Sequence, residues 1–355
     1  MAYQITLNPS GHQFEAKAYE TILEAAIEAG LNLPYGCRNG ACGSCKGDII
    51  SGEVDYGDYA SSALMDSEKA EGKVLFCCAR PLSDLVLQCR EISAGMIQPR
   101  ILPARVERKE QLSHDVMALF LKLPSSEHLQ FHAGQYIEFL LKDGKRRAFS
   151  LANAPHQDNI LELHLRLIPG GQFTEYVFNE MPDKAIMRIE GPFGSFYLQE
   201  DSNKPIIMVA GGTGFAPIKG IIEHMLYKNI TRPVQIYWGA RTMADLYMAA
   251  LPAAWAVAHE HIEFIPVLSD ATPEDHWHGR TGLVHQAVLD DLTGSGTGGL
   301  SGNASLSGYE VYCCGAPGMV EVAHASFIAH GLEEDAFFSD AFTYAKPAAI
   351  VAGST

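Results

Sequence analysis

The sequence predicts a multidomain protein in which a small α+β unit, an antiparallel β-barrel and a parallel-sheet α/β unit follow one another along the chain. Three observations carry this expectation. Strand and helix patterns mix in residues 1–93, short strands separated by turns fill 98–200, and strands alternate with helices in 201–355. At 355 residues, 47% of them hydrophobic, the chain is long enough for two or three separately cored domains.

In the first unit, "YQITL" and "HQFEAKA" flank the turn sequence "NPSG" and read as a hairpin. "TILEAAIEAGL" carries a Thr N-cap, apolar residues at helical spacing and Gly30 as its stop. A cysteine-rich loop follows, and "DLVLQCREI" closes the unit as a strand. "SAGMIQPRILP", with small residues and two prolines, reads as a linker. The barrel strands are "PARVERKEQ", "VMALFLKL", "GQYIEFLL", "RRAFSLAN", "LELHLRLI" and "AIMRIEGPFG", interrupted by one helical piece, "GQFTEYVFNEM". In the third unit "PIIMVAGG" precedes a helix from Ala216 or Pro217. "VQIYWGA", "HIEFIPVLS" and "YEVYCCGA" repeat the buried strand ending in a glycine or turn. The Gly/Ser-rich stretch 293–308 reads as an inserted flexible loop.

A net charge of −16 argues against nucleic acid as a partner, because phosphate neutralisation needs basic surface. No apolar run approaches the roughly 18–20 residues of a membrane span. The start alternates like a strand and lacks the layout of a signal peptide. Of eight cysteines, five fall between Cys37 and Cys78, two are adjacent at Cys313 and Cys314, and Cys89 stands alone. That distribution suits metal ligation and reduced thiols better than a disulfide framework, and a cytoplasmic location is expected.

The loop "CRNGACGSCK" holds Cys37, Cys42 and Cys45 as C-x4-C-x2-C. Structural zinc sites usually offer two separated C-x2-C pairs or a Cys/His mixture. Three cysteines in one loop plus a distant fourth match the plant-type [2Fe–2S] spacing. The loop's glycines suit a backbone that wraps a cluster with N–H groups turned toward sulfur. A thiol-rich turn or a zinc loop is the bland alternative. For the fourth ligand Cys77, Cys78 and Cys89 compete, and spacing alone does not choose between the adjacent pair. Neighbouring side chains on extended backbone point to opposite faces, so only one of the two reaches a cluster.

Three further stretches carry cofactor chemistry. "RRAFSLAN" offers a guanidinium for a phosphate, a ring for stacking and a hydroxyl for hydrogen bonding, in Arg147, Phe149 and Ser150. "RLIPGGQFTEYV" places Gly170 and Gly171 before Thr174 at a helix start, an anion-binding terminus. In "VAGGTGFAP" a buried strand runs into Gly211, Gly212, Thr213 and Gly214, where backbone can approach a phosphate closely. The last stretch is not Walker A, and it departs from Gly-x-Gly-x-x-Gly. Taken singly, each has an ordinary reading as a strand, a capped turn or a buried strand end.

Taken in order, these elements resemble the fused ferredoxin–flavin reductases that serve bacterial ring-hydroxylating and multicomponent oxygenases. Within that group "PSGHQF…TILEAAIEAGLNLPYGCRNGACGSCKG" is most similar to CDP-6-deoxy-Δ3,4-glucoseen reductases, which deliver electrons to a sugar dehydrase. The resemblance implies a β-grasp ferredoxin domain at 1–93, an FAD-binding barrel at 98–200 and an NAD(H)-binding domain at 201–355. It implies Cys77 as the fourth ligand, four residues before Pro81, with Cys78 and Cys89 as packing residues. Arg147, Phe149 and Ser150 fit the family's Arg-x-Tyr-Ser flavin motif with Phe in the Tyr position, and His164 and Arg166 join the cofactor-binding set. "YCCGAPGMV" fits the segment that brings Cys314 and Gly315 near the nicotinamide. A C-terminal aromatic, Phe342 or alternatively Phe338, is expected over the flavin, so the candidate catalytic residues are Ser150, Cys314 and Phe342. Asp270, acidic just after a strand, would repel a 2′-phosphate and favours NADH, although Arg241 tempers this. The implied path runs from NADH to FAD to the [2Fe–2S] cluster to a protein acceptor, an oxygenase or a CDP-sugar dehydrase. A stand-alone flavin NADH oxidase or quinone reductase and a zinc-binding scaffold are the rival readings.

Overall fold

The computed structural model describes residues 1–91, 97–157, 159–294 and 305–342. The first unit opens with β1 (Ala2–Asn8) and β2 (Gln13–Lys17), an antiparallel hairpin across the expected turn. Helix α1 (Ile22–Glu28) starts at Thr21, whose hydroxyl accepts from the Glu24 N–H at 3.2 Å while the Glu24 carboxylate accepts from the Thr21 N–H at 3.0 Å. This reciprocal cap satisfies two otherwise orphaned donors. The unit continues through β3 (Lys46–Ser51), β4 (Val54–Asp55), α2 (Asp66–Ala70), β5 (Lys73–Leu75), β6 (Arg80–Pro81) and β7 (Leu85–Gln88). The closing strand does not end at an edge. It inserts parallel to β1 at the centre of a sheet ordered β2-β1-β7-β3-β5. There Leu85 and Leu87 join Ile5, Leu7, Ile22 and Ala26 in one core.

Residues 93–96 of the expected linker lie outside the described residues, and its last four residues are strand. Strand β8 runs Arg100–Gln111, so "RILP" pairs with the barrel. The strands β9 (Val116–Lys122), β10 (Tyr136–Leu140), β11 (Arg146–Ser150), β12 (Leu161–Arg166) and β13 (Ile186–Phe193) complete a sheet ordered β11-β10-β13-β8-β9-β12. All its pairs are antiparallel. A bridge between Leu151 and Leu163 joins the two edges and closes the barrel. The helical interruption is α3 (Gln172–Glu175) running into a π-helical turn at Tyr176–Glu180.

The third unit is a parallel sheet ordered β17-β16-β15-β14-β18-β19. Its elements are β14 (Ile206–Gly211), α4 (Phe215–Lys228), β15 (Val234–Ala240), α5 (Ala250–Ala258), β16 (Ile262–Leu268), β17 (Arg280–Thr281), α6 (Val284–Leu292), β18 (Glu310–Gly315), α7 (Pro317–Ala329) and β19 (Phe337–Ala341). Helix α4 begins at Phe215, one residue before the expected start. Strand order turns around at β14, which has β15 on one side and β18 on the other, so a crevice opens beyond the carboxyl ends of β14 and β18. The edge strands β17 and β19 carry no period-2 signal long enough to read. Residues 295–304, the body of the Gly/Ser stretch, lie outside the described residues. Among the described residues no helix is long and apolar enough to cross a membrane.

Candidate cofactor sites at the junction of the three units

The loop between α1 and β3 holds three of the four cysteines, and the turn between β5 and β6 holds Cys77 and Cys78. All eight cysteines are free thiols. The sulfurs associate as Cys37 with Cys42 and as Cys45 with Cys77, whose Sγ also lies 3.6 Å from that of Cys78. Cys37 and Cys42 share a hydrogen bond that pulls the Cys42 thiol down to about 6 and pushes Cys37 up. Cys77 hydrogen-bonds Cys45, which raises its own pKa. The Cys37 and Ala41 N–H groups both point at sulfur, at 3.4 Å from Cys42 Sγ and Cys37 Sγ respectively. Four thiols with backbone N–H groups turned toward sulfur suit an iron–sulfur cluster, so the donor set fits a [2Fe–2S] cluster.

Cys77 and Cys78 are told apart by their surroundings. Cys77 faces Cys45 and the cavity described below. Cys78 Sγ packs under Gly40, where an added Cβ would lie 2.6 Å from it. Cys89 is buried, and its thiol donates to the Arg90 carbonyl at 3.3 Å.

The cluster loop is fastened to the barrel. The Ser195 hydroxyl donates to the Tyr35 carbonyl at 2.8 Å and accepts from the Tyr35 N–H at 3.0 Å; the Tyr136 hydroxyl donates to the Gly36 carbonyl at 2.7 Å. Arg38 lies 4.2 Å over the Phe193 ring and 3.4 Å from Glu138, a carboxylate that also pairs with Arg146 at 2.8 Å. Arg146 pairs with Glu190 as well. On its other side the loop meets β19, with Ser44 and Ser339 hydroxyls 3.5 Å apart.

These contacts leave a cavity of about 560 Å³ where the three units meet. The first unit contributes Cys37 and Cys77. The barrel contributes Arg147, Phe149, Ser150, His164, Arg166, Gly171 and Thr174, and the third unit Thr213, Asp340 and Phe342. Eleven of the sequence-predicted site residues therefore converge, from positions 37 to 342. Among the described residues Arg147 has no carboxylate partner, and it opens into the cavity, whereas its neighbour Arg146 is consumed by ion pairs.

Several of the expected residues stand in settings that the sequence does not show. The Thr174 hydroxyl braces its own turn, accepting from the Ile168 N–H at 3.1 Å and donating to the Gly171 carbonyl at 3.2 Å; α3 is one turn long. The dinucleotide glycines answer to packing as well as to phosphate approach. A Cβ on Gly214 would lie 2.1 Å from the Cys314 carbonyl oxygen, and one on Gly315 3.0 Å from Gly211. Gly211, Gly212, Gly214 and Gly315 support the crevice wall and Gly170 sits in the turn before α3; none of the five lines the cavity. Cys314 is fully buried below it, its thiol pushed far up by burial and by Asp340 on the neighbouring strand. Arg241 and Asp270 lie outside the cavity, side by side where β15 and β16 end, with the Asp270 N–H donating to the Arg241 carbonyl at 2.9 Å. Phe338 stacks on Tyr312 at 4.8 Å in the core, which leaves Phe342 as the aromatic at the cavity.

Sequence reasoning missed Asp340. It is buried on β19, accepts from the Ser150 hydroxyl at 3.0 Å, and is pushed up to about 7 by burial, against the pull of that hydrogen bond. Only the register of β19 against β18, which pairs Asp340 with Cys314, reveals it. His164 is buried and its pKa is lowered by burial, so it holds a neutral imidazole between Glu162 and Tyr247.

A thiol-pair loop, a flavin-sized cavity and a parallel-sheet crevice in one chain define an iron–sulfur flavoprotein reductase. Matches to known families agree. The 2Fe-2S iron-sulfur cluster binding domain matches residues 5–82, the oxidoreductase FAD-binding domain 103–197 and the oxidoreductase NAD-binding domain 208–325. The chain is 40% identical to the CDP-6-deoxy-L-threo-D-glycero-4-hexulose-3-dehydrase reductase of Yersinia pestis over 98% of its length and 100% of that protein's. It is 34% identical to the reductase component of phenol 2-monooxygenase from Pseudomonas sp. (strain CF600), over 96% and 95%. The crystal structure of an Amycolatopsis cytochrome P450 reductase superposes with a TM-score of 0.76 at 33% identity, covering 96% of this chain and 99% of that one. The chain belongs to the family of fused 2Fe-2S ferredoxin/FAD/NAD reductases, and it is an NAD(P)H-dependent electron-transfer oxidoreductase.

Proposed function

We propose that the protein takes hydride from NADH and delivers single electrons to a separate protein acceptor, a CDP-sugar dehydrase or an oxygenase component, in the cytoplasm. The observation that carries this reading is the shared cavity: Cys37 and Cys77, the Arg147–Ser150 strand and Thr213 all border one space. Bound FAD supplies two-electron acceptance and one-electron release, and the cluster supplies single-electron storage.

The residues take these roles. Cys37, Cys42, Cys45 and Cys77 would hold the cluster. Arg147 would pair with a flavin phosphate, Phe149 would offer a stacking surface, and the Ser150 hydroxyl, held by Asp340, would offer a hydrogen bond to the flavin. Thr213 and the loop 211–214 would seat the dinucleotide at the start of α4. Phe342 would shield the flavin from water. Asp270 selects NADH, since its carboxylate accepts from ribose hydroxyls and repels a 2′-phosphate. Resemblance to a dehydrase reductase along the whole chain supports a CDP-sugar dehydrase as acceptor. The eight free thiols support the cytoplasm.

An anaerobic titration with NADH, and separately with NADPH, tests the reading by visible absorbance and low-temperature EPR. Flavin bleaching together with the signal of a reduced [2Fe–2S] cluster, at lower NADH than NADPH, is the expected result. Equal response to both nucleotides would remove Asp270 as the selector. Fast oxygen consumption without any acceptor would favour an oxidase.

A further inference from the structure

Helix α4 leaves the dinucleotide loop and, one turn later, meets the segment that follows the flavin strand. At that meeting point stands Lys219, 6% exposed. Its ammonium is 3.1 Å from the Ala152 carbonyl, 2.9 Å from Glu162 on β12 and 2.9 Å from Glu223 on its own helix. Three donors thus meet three acceptors, the full capacity of the group. The neighbouring Gly220 lets the two backbones touch, since a Cβ there would lie 3.0 Å from the Asn153 carbonyl and 3.1 Å from that of Leu151. The carbonyls of 151, 152 and 153 therefore all abut α4, directly after Ser150. Glu162 extends the contact, pairing at 2.9 Å with His164, which bonds the Tyr247 hydroxyl of the third unit at 2.9 Å.

We propose that Lys219 is a positioning residue for hydride transfer, locking the nicotinamide-side helix to the flavin-side strand in one register; this rests on the NADH-to-flavin step proposed above. A buried ion pair adds little net stability compared with apolar packing, and its best-attested use is to specify register. An apolar contact at this point would hold α4 against the barrel and still let it slide. The lysine, with acceptors on two segments of the barrel and on its own helix, permits one alignment. Nicotinamide on the loop before α4 and flavin on the strand before Leu151 then meet at a fixed separation. Misplacement by about 1 Å in such a pair costs about 10²-fold in rate.

The test uses the holoprotein with Lys219→Met, and with Lys219→Met combined with Glu223→Gln to remove the carboxylate left unpaired. Anaerobic stopped-flow measures flavin bleaching across NADH concentrations, and hydrogen–deuterium exchange follows residues 146–157. The expected result is a limiting rate lower by about 10–100-fold with half-saturating NADH within about twofold, flavin content unchanged and faster exchange in that segment. A limiting rate within about twofold of the parent overturns the proposal. Loss of flavin, or of folding, in both variants also overturns it, because Lys219 would then serve only stability. If the parent protein itself is not bleached by NADH, the proposed function fails and not this inference alone.

Discussion

The cluster loop and the cavity are two sites built by opposite strategies. Three of the four candidate cluster thiols come from nine consecutive residues, 37–45. The cavity draws on positions from 21 to 342 and exists only when three units are docked. A local site fails when one ligand is lost, whereas an assembled site fails when a contact between units loosens. The loop's grip on the barrel through Arg38 links the two.

The comparison is tested most severely by Cys77→Ser. With one sulfur of the Cys45–Cys77 pair gone, the cluster spectrum and EPR signal are expected to vanish while NADH still reduces a small dye through the flavin. A full cluster spectrum would pass the ligand role to Cys78. Gly214→Ala attacks the assembled site instead, forcing a methyl against the Cys314 carbonyl. Overpacking of this kind costs about 1–3 kcal/mol, and calorimetry should show a lower Tm with weaker NADH binding and an intact cluster. Arg38→Ala loosens the join between the two. Losing a partly buried cation–π contact and its ion pair costs about 1 kcal/mol, roughly a fivefold change in the docking equilibrium constant. Cluster reduction should slow, by at most about that factor, in stopped-flow while flavin bleaching by NADH keeps its rate.

A pH-dependent effect concerns Asp340. Its folded pKa, about 7, stands above the ordinary 3.8. Its contribution to stability is therefore fully present below about pH 4 and lost as pH rises through about 7. Asp340→Asn removes that dependence, so the variant should gain stability relative to the parent between pH 5 and pH 8, by roughly 2–3 kcal/mol. Parallel melting curves at the two pH values would refute the burial of this carboxylate.

Part of the fold and part of the site can be read directly from the amino-acid order. The thiol spacing, the hairpin, the capped helix α1 and all six barrel strands follow from local pattern, because period-2 alternation, caps and turn residues act over a few neighbours. Asp340, the Thr174 hydroxyl and the choice between Phe338 and Phe342 do not follow. Each depends on what lies across a strand pair or turn, and "DAFFSDAFTYA" carries no period that says which face turns inward. The order of chemistries, cluster then flavin then nicotinamide, was determined by the sequence itself, since each cofactor motif is written in one short run. Tertiary structure alone decided that residues from all three units border one cavity, that Cys77 and not Cys78 hydrogen-bonds Cys45, and that Lys219 ties two units together. Packing between remote segments selects among side chains that composition and spacing leave equivalent, because burial and hydrogen-bond partners exist only once the units have docked.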